Sequence, residues 1–200
     1  MARPEGRYEV LGDVLLVIVT AIFAMLPAYV ANPVAVLTGG GTPMDLGRNW
    51  SDGRRVLGDG KTWRGLAGGT IGGIGIAGIL SVAVRASGNA DLTDFMMPGW
   101  EGGLSWLYVG FLLGFGSLFG DAVKSFFKRR SGRERGSKAP LMDMYDFVVG
   151  SWLLTALLAW GWFSEVFSVW HILVILVVTP AMHRSVNIIG YKMGKKDVPW

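Results

Sequence analysis

Five apolar runs, each close to the length that crosses a bilayer as a helix, divide this chain and restrict its fold more than any other feature. A helix rises 1.5 Å per residue, so about 20 residues cross a hydrocarbon core roughly 30 Å thick. The spacing predicts spans at about residues 11–31, 66–85, 104–120, 147–163 and 166–183. The first resembles the apolar part of a signal peptide, but it is too long and no cleavage pattern follows it. The 51% hydrophobic and 17% charged composition agrees with a membrane-embedded chain. The expected fold is therefore an all-α polytopic membrane protein, one domain over residues 1–200.

Lysine and arginine then orient the spans. The segment 32–65 carries five, 121–146 carries seven and the tail beyond span five carries four, whereas residues 86–103 and the turn at Ser164-Glu165 carry none. By the positive-inside tendency this alternation places both long loops and the C-terminus in the cytoplasm, and the N-terminus outside. The net charge of +4 is accounted for by these anchoring loops and gives no reason to expect nucleic acid. With no cysteine, the chain has no disulfide, thiolate nucleophile or cysteine-ligated metal.

Most residues able to do chemistry fall in two stretches that share one compartment. In GDAVKSFFKRR, starting at Gly120, the residues Asp121, Lys124, Ser125, Lys128 and Arg129 recur at spacings of three and four, which places them on one helix face. Arg130, Arg133, Arg135 and Lys138 follow, and beyond Pro140 come Asp143 and Asp146. Carboxylates at the edge of hydrocarbon are costly unless paired or functional. Asp121, Asp143 and Asp146 have the hard oxygens that suit Mg²⁺ or Mn²⁺. Lys124, Lys128 and Arg129 can clamp phosphate, with Ser125 donating its hydroxyl. The simpler alternative is that these charges neutralise each other and anchor a helix end to headgroups. Arg133, Arg135 and Lys138 read as a solvated loop face.

The second stretch is GDGKT at 58–62. It is not a P-loop, because position 55, where the first glycine belongs, is Arg. Asp59, Gly60, Lys61 and Thr62, with Arg64 beyond them, still offer backbone N–H groups and cations to an anion near the start of a helix. The glycine pairs 68/72, 69/73, 110/114 and 116/120 read as close-packing faces, and leave a homodimer open. His171 reads as a helix-packing residue, and Trp106, Trp152, Trp162 and Trp170 as interfacial anchors.

GDAVKSFFKRR…PLMDMYDF resembles the signature of the CTP-dependent cytidylyltransferases of phospholipid synthesis, of the form GD…S-x-x-KR…D-x-x-D. The Lys-Asp pair and His-Gly-Gly of the CDP-diacylglycerol synthases are replaced by SGRERGSKAP. The short chain and the loop ANPVAVLTGGGTPMDLGRNWSDGRRVLGDGKTWRG resemble instead the archaeal branch, the CDP-archaeol synthases. The resemblance implies CTP, Mg²⁺ and an isoprenoid diether lipid phosphate, 2,3-bis-O-geranylgeranyl-sn-glycerol 1-phosphate, as partners, with CDP-archaeol and pyrophosphate as products. It implies metal ligation by Asp121, Asp143 and Asp146, catalytic roles for these and for Lys128 and Arg129, and triphosphate contacts from Asp59, Gly60, Lys61, Thr62 and Arg64. Lys124, Ser125, Lys128 and Arg129 would meet the lipid phosphate. The competing expectations are a CTP-dependent polyprenol or dolichol kinase and a small membrane transporter.

Overall fold

The computed structural model describes residues 5–87, 105–133 and 140–194. Among the described residues there are six helices and no strand: α1 (Glu5–Thr38), α2 (Trp63–Ser87), α3 (Ser105–Arg130), α4 (Pro140–Leu158), α5 (Trp160–Val166) and α6 (Val169–Lys192). Four of them are long and apolar enough to cross a membrane, over Gly12–Thr38, Trp63–Ser87, Ser105–Arg130 and Val169–Lys192.

The stretch expected as one span at 147–163 is divided. Ala159 leaves helical geometry at φ −141°, ending α4 and letting the seven-residue α5 turn inward. There Trp162 is buried and meets Phe167 edge-on at 5.6 Å. Aromatic burial at the turn offsets the interrupted helix.

Both long loops are shorter than expected. Helix α1 continues through Pro27 and Pro33 to Thr38. A proline inside a helix removes a backbone hydrogen bond, and in lipid a neighbouring helix must supply replacement contacts. Next to these prolines Ser117 of α3 braces α1, donating to the Ala28 carbonyl at 3.0 Å and accepting from the Asn32 side-chain amide at 2.9 Å. At the other loop, residues 121–130 extend α3 and 140–146 open α4. Asp121, Lys124, Ser125, Lys128 and Arg129 therefore stand on a helix, as their spacing predicts, and Asp143 and Asp146 stand on a second one.

The glycine pairs are used inside the bundle. A Cβ on Gly69 would stand 2.9 Å from that of Ala35 on α1, and one on Gly73 would stand 2.8 Å from Gly114 Cα on α3. With these faces occupied by neighbouring helices, they give no support to a homodimer. Of the four tryptophans expected as anchors, Trp106, Trp152 and Trp162 pack against the core and only Trp170 is exposed. His171 is buried where α6 meets α1, with Nε2 3.2 Å from Thr20 Oγ1 and Nδ1 2.6 Å from Ser168 Oγ. That agrees with a packing residue.

Candidate active site

The site is set by a close helix crossing between α3 and α4. Gly116 and Gly120 face Gly150: a Cβ on Gly116 would lie 2.8 Å from the Gly150 carbonyl oxygen, and one on Gly150 would lie 2.7 Å from Gly120 Cα. With no side chains between them the two backbones nearly touch. One turn beyond this crossing stand Asp121 and Lys124 on α3, opposite Asp143 and Asp146 on α4.

These residues form an ion cluster centred on one ammonium. Lys124 Nζ lies 2.8 Å from Asp121 Oδ1, 2.7 Å from Asp146 Oδ2 and 3.5 Å from Asp143 Oδ1. Lys128 Nζ adds a 2.5 Å contact to Asp143 Oδ1. Lys61 reaches in from the loop between α1 and α2 to pair with Asp121 Oδ2. The Asp146 side chain is only 6% exposed, and its Oδ2 meets Lys124 without hydrogen-bond alignment. A buried carboxylate oxygen satisfied by charge alone is one that a stronger cation can engage.

The loop over residues 39–62 is folded, and its hub is Asp45. This carboxylate accepts from Arg55 Nη2 at 2.7 Å and Nε at 3.2 Å, and from the amides of Gly58 (2.8 Å), Leu57 (3.0 Å) and Gly47 (3.1 Å). Burial acts to raise its pKa, but the Arg55 and backbone hydrogen bonds outweigh burial and hold it well below the ordinary carboxylate range. The same contact, with that to Asp59, raises the Arg55 guanidinium. Asp45→Ala is expected to cost the loop about 2–3 kcal/mol, the scale of a charged hydrogen-bond network left unpaired. The check is faster protease cleavage between residues 39 and 62. A carboxyl lowered on folding stabilises above its unfolded value of about 4 and loses that contribution as pH falls through the folded value. The wild-type loop should therefore resist protease equally from pH 7 to about 4, and weaken only in stronger acid.

The loop is fastened to the end of α3 by a reciprocal pair of arginines. Arg54 Nη1 donates to the Arg130 carbonyl at 2.7 Å, capping the helix C-terminus. Arg130 reaches back to Asp52 Oδ1 at 2.7 Å and to the Arg55 carbonyl at 2.6 Å, its guanidinium 5.0 Å above the Phe126 ring. Arg130, one of the cations at the end of α3, is thus a structural clasp between loop and helix.

An open cavity of about 930 Å³ joins these parts. Its charged end holds Lys61, Asp121, Lys124, Lys128, Asp143 and Asp146, and Ser125, Arg129, Asp59, Gly60 and Thr62 line it too. Its apolar part runs between α1, α3, α4 and α6 past Val36, Leu118, Phe147 and Met182. Arg64 is exposed and does not line it; its stem lies over Gly41, where a Cβ would be 3.4 Å away. Thr62 is buried and caps α2, its Oγ1 accepting from the Gly65 amide at 3.1 Å. Ser125 Oγ donates to the Asp121 carbonyl at 2.9 Å, a local helix bond that suits a phosphate-contacting hydroxyl better than an activated nucleophile. The loop's hub at Asp45, its Arg54 fastening and the packing role of Gly150 carried no local sequence signal, since their partners are distant or irregularly spaced. Arg135 and Lys138 lie outside the described residues.

Among the described residues no three acidic or histidine side chains stand in a ready metal-ligand arrangement, because the carboxylates are spaced around Lys124. The donor set nonetheless fits Mg²⁺, which takes one or two carboxylates and completes its shell with phosphates and water.

Fold and site define a polytopic helical membrane protein that gathers acids and lysines at one end of an apolar cavity, a composition suited to joining phosphates on a lipid. Residues 14–200 match the family described as CarS-like: CDP-archaeol synthase. CDP-archaeol synthases of Methanospirillum hungatei and Methanosphaerula palustris are each 51% identical over 176 residues, spanning 88% of this chain and the full length of each relative. A solved structure described as an intramembrane enzyme for archaeal membrane lipids biosynthesis is similar at a TM-score of 0.60 and 32% identity, over 88% of this chain and 93% of that one. The chain belongs to the CDP-archaeol synthase family.

Proposed function

We propose that the α3/α4 ion cluster is where this membrane cytidylyltransferase joins CTP to 2,3-bis-O-geranylgeranyl-sn-glycerol 1-phosphate, with Mg²⁺ and on the cytoplasmic side. The observation that carries the reading is one cavity with lysines and carboxylates at one end and apolar helix faces along the rest. A lipid can leave its tails among the helices while its phosphate meets the nucleotide at the charged end. The concentration of Lys and Arg in the two site-bearing segments supports the cytoplasmic side.

An oxygen of the lipid phosphate forms a bond to the α-phosphorus of CTP. The bond from that phosphorus to the bridging oxygen of the β-phosphate breaks, and pyrophosphate leaves with the electron pair. The nucleophile is already anionic, so no side chain need form a covalent intermediate. What the protein contributes is positioning and charge stabilisation. Lys61, Lys124 and Lys128 lower the repulsion between two polyanions, and Arg129 adds a fork-shaped donor. Asp121, Asp143 and Asp146 would hold Mg²⁺, which supplies charge neutralisation of the triphosphate and of the departing pyrophosphate. Asp59 and Gly60 lie on the nucleotide side of the cavity; Thr62 acts there by holding the start of α2.

Family membership favours this over a lipid kinase or a transporter. The test uses CTP labelled on the α- or γ-phosphate with Mg²⁺ and the diether phosphate. The expected outcome is α-label in the lipid and γ-label in free pyrophosphate. γ-Label in the lipid, with CDP released, would overturn the reading in favour of a kinase.

A further inference from the structure

A proline interrupts α6 where that helix becomes a wall of the cavity. Pro180 has no N–H, so the carbonyl of Leu176, four residues earlier, is without its helical donor. In a membrane-spanning helix such a carbonyl must find another donor. Tyr145 of α4 provides one, its hydroxyl donating to the Leu176 oxygen at 2.7 Å. In the same turn of α6, Thr179 Oγ1 lies 2.8 Å from the hydroxyl of Tyr29 on α1. Tyr29 also meets the Phe147 ring of α4 edge-on at 5.5 Å. Two phenols therefore tie α1, α4 and α6 together at one level.

Burial along α6 shows what that level divides. The buried residues of α6 are His171, Ile175, Thr179 and Asn187, which share one helix face. His171 and Thr179 meet Thr20 and Tyr29, so this face looks toward α1. Position 183 falls on the same face, yet His183 is only partly buried and lines the main cavity. Past Pro180, then, the face of α6 that packed against α1 borders the cavity, with Met182 and Val186 beside it. The tyrosine ties form the foot of that opening. Tyr145 is also one residue from Asp146 and two from Asp143. A single turn of α4 thus holds its acids against Lys124 and its phenol against α6.

We propose that Tyr145 is a positioning residue for the lipid substrate: by holding α6 at the carbonyl that Pro180 leaves open, it sets the width of the cavity where a lipid phosphate reaches the ion cluster. The inference rests on the reading of that cavity as the lipid's seat. Without the hydroxyl, the Leu176 carbonyl loses its partner and α6 shifts to recover one. The wall carrying Met182 and Val186 then moves relative to Asp143 and Asp146. Lys61 and Arg129 stand on the 39–62 loop and on α3, outside the tie.

The test is a double-mutant cycle read on lipid binding. The purified full chain is titrated with 2,3-bis-O-geranylgeranyl-sn-glycerol 1-phosphate in the absence of CTP. Tyr145→Phe removes one oxygen and is expected to weaken binding about fivefold, the scale of one hydrogen bond. KM for the lipid phosphate should rise alongside, with KM for CTP unchanged. Pro180→Ala returns a backbone donor to the Leu176 carbonyl, so adding Tyr145→Phe to it should cause almost no further loss. A lower melting temperature in Tyr145→Phe with wild-type lipid affinity would make the bond structural only and overturn the inference. An equal loss in both backgrounds would do the same, because the hydroxyl would then act elsewhere. So would matched rises in the two KM values, which would trace the effect to Asp143 and Asp146. If wild type binds the lipid but forms no CDP-lipid, the transfer reading fails, and the binding cycle still decides the role of Tyr145.

Discussion

Lys124→Met is expected to lower CDP-lipid formation at least 10²–10³-fold, the loss associated with removing one electrostatic contact to the reacting centre. Its ammonium is shared by Asp121, Asp146 and Asp143 at 2.8, 2.7 and 3.5 Å. A methionine has nearly the same length and fills the same space, so the change isolates the charge. Three carboxylates would then confront one another with only Lys61 and Lys128 to offset them, and Asp146 would lose its cation in a nearly closed setting. Breaking a buried pair from one side costs about 3–5 kcal/mol, and thermal unfolding should register part of it. Lys124→Arg should restore much of the stability but little of the turnover, because a planar fork cannot occupy a point between three acids. Turnover of Lys124→Met within threefold of wild type would remove Lys124 from the reaction.

A single methyl group at the α3/α4 crossing should have a comparable effect. In Gly120→Ala the new Cβ would lie 2.9 Å from the Asp146 carbonyl carbon and 3.1 Å from Gly150 Cα. Both neighbours are backbone atoms and cannot rotate away, so α3 and α4 must separate. The acids and lysines stand on opposite helices, and a displacement of about 1 Å in such a constellation is worth about 10²-fold in rate. Gly75→Ala serves as the control: the same change in a spanning helix, with nothing within 4 Å of the new carbon. The expected result is a loss of about 10²-fold for Gly120→Ala and wild-type turnover for Gly75→Ala. Equal activities would show that the close crossing does not position the site.

Apolar run length and the period of the charges made the helical membrane fold and the acidic–basic face legible in the sequence. Asp121, Lys124, Ser125 and Lys128 share a face because they are three and four apart, and the helix carries that spacing directly into space. What the sequence concealed depends on contacts with no period. Arg130 and Asp52 are 78 positions apart, and Asp45 organises a loop through irregular backbone amides that no side-chain pattern records. Lys124 read as one cation among several, because its central position arises only when α4 crosses α3 at Gly150. The end of α1 differs for a related reason: the apolar run gives a span ending near residue 31, whereas the helix continues to Thr38 with Asn32 bonded to Ser117 of α3.

The most direct test of the central claim is CDP-lipid formation by Asp121→Asn, Asp143→Asn and Asp146→Asn, each compared with wild type across an Mg²⁺ titration and checked for helical content. Asparagine keeps the size and removes the charge. Each variant should stay helical, lose at least about 10²-fold in turnover and need more Mg²⁺ for what remains. Wild-type turnover at wild-type Mg²⁺ in a folded Asp146→Asn would contradict the account and place the chemistry away from the α3/α4 crossing.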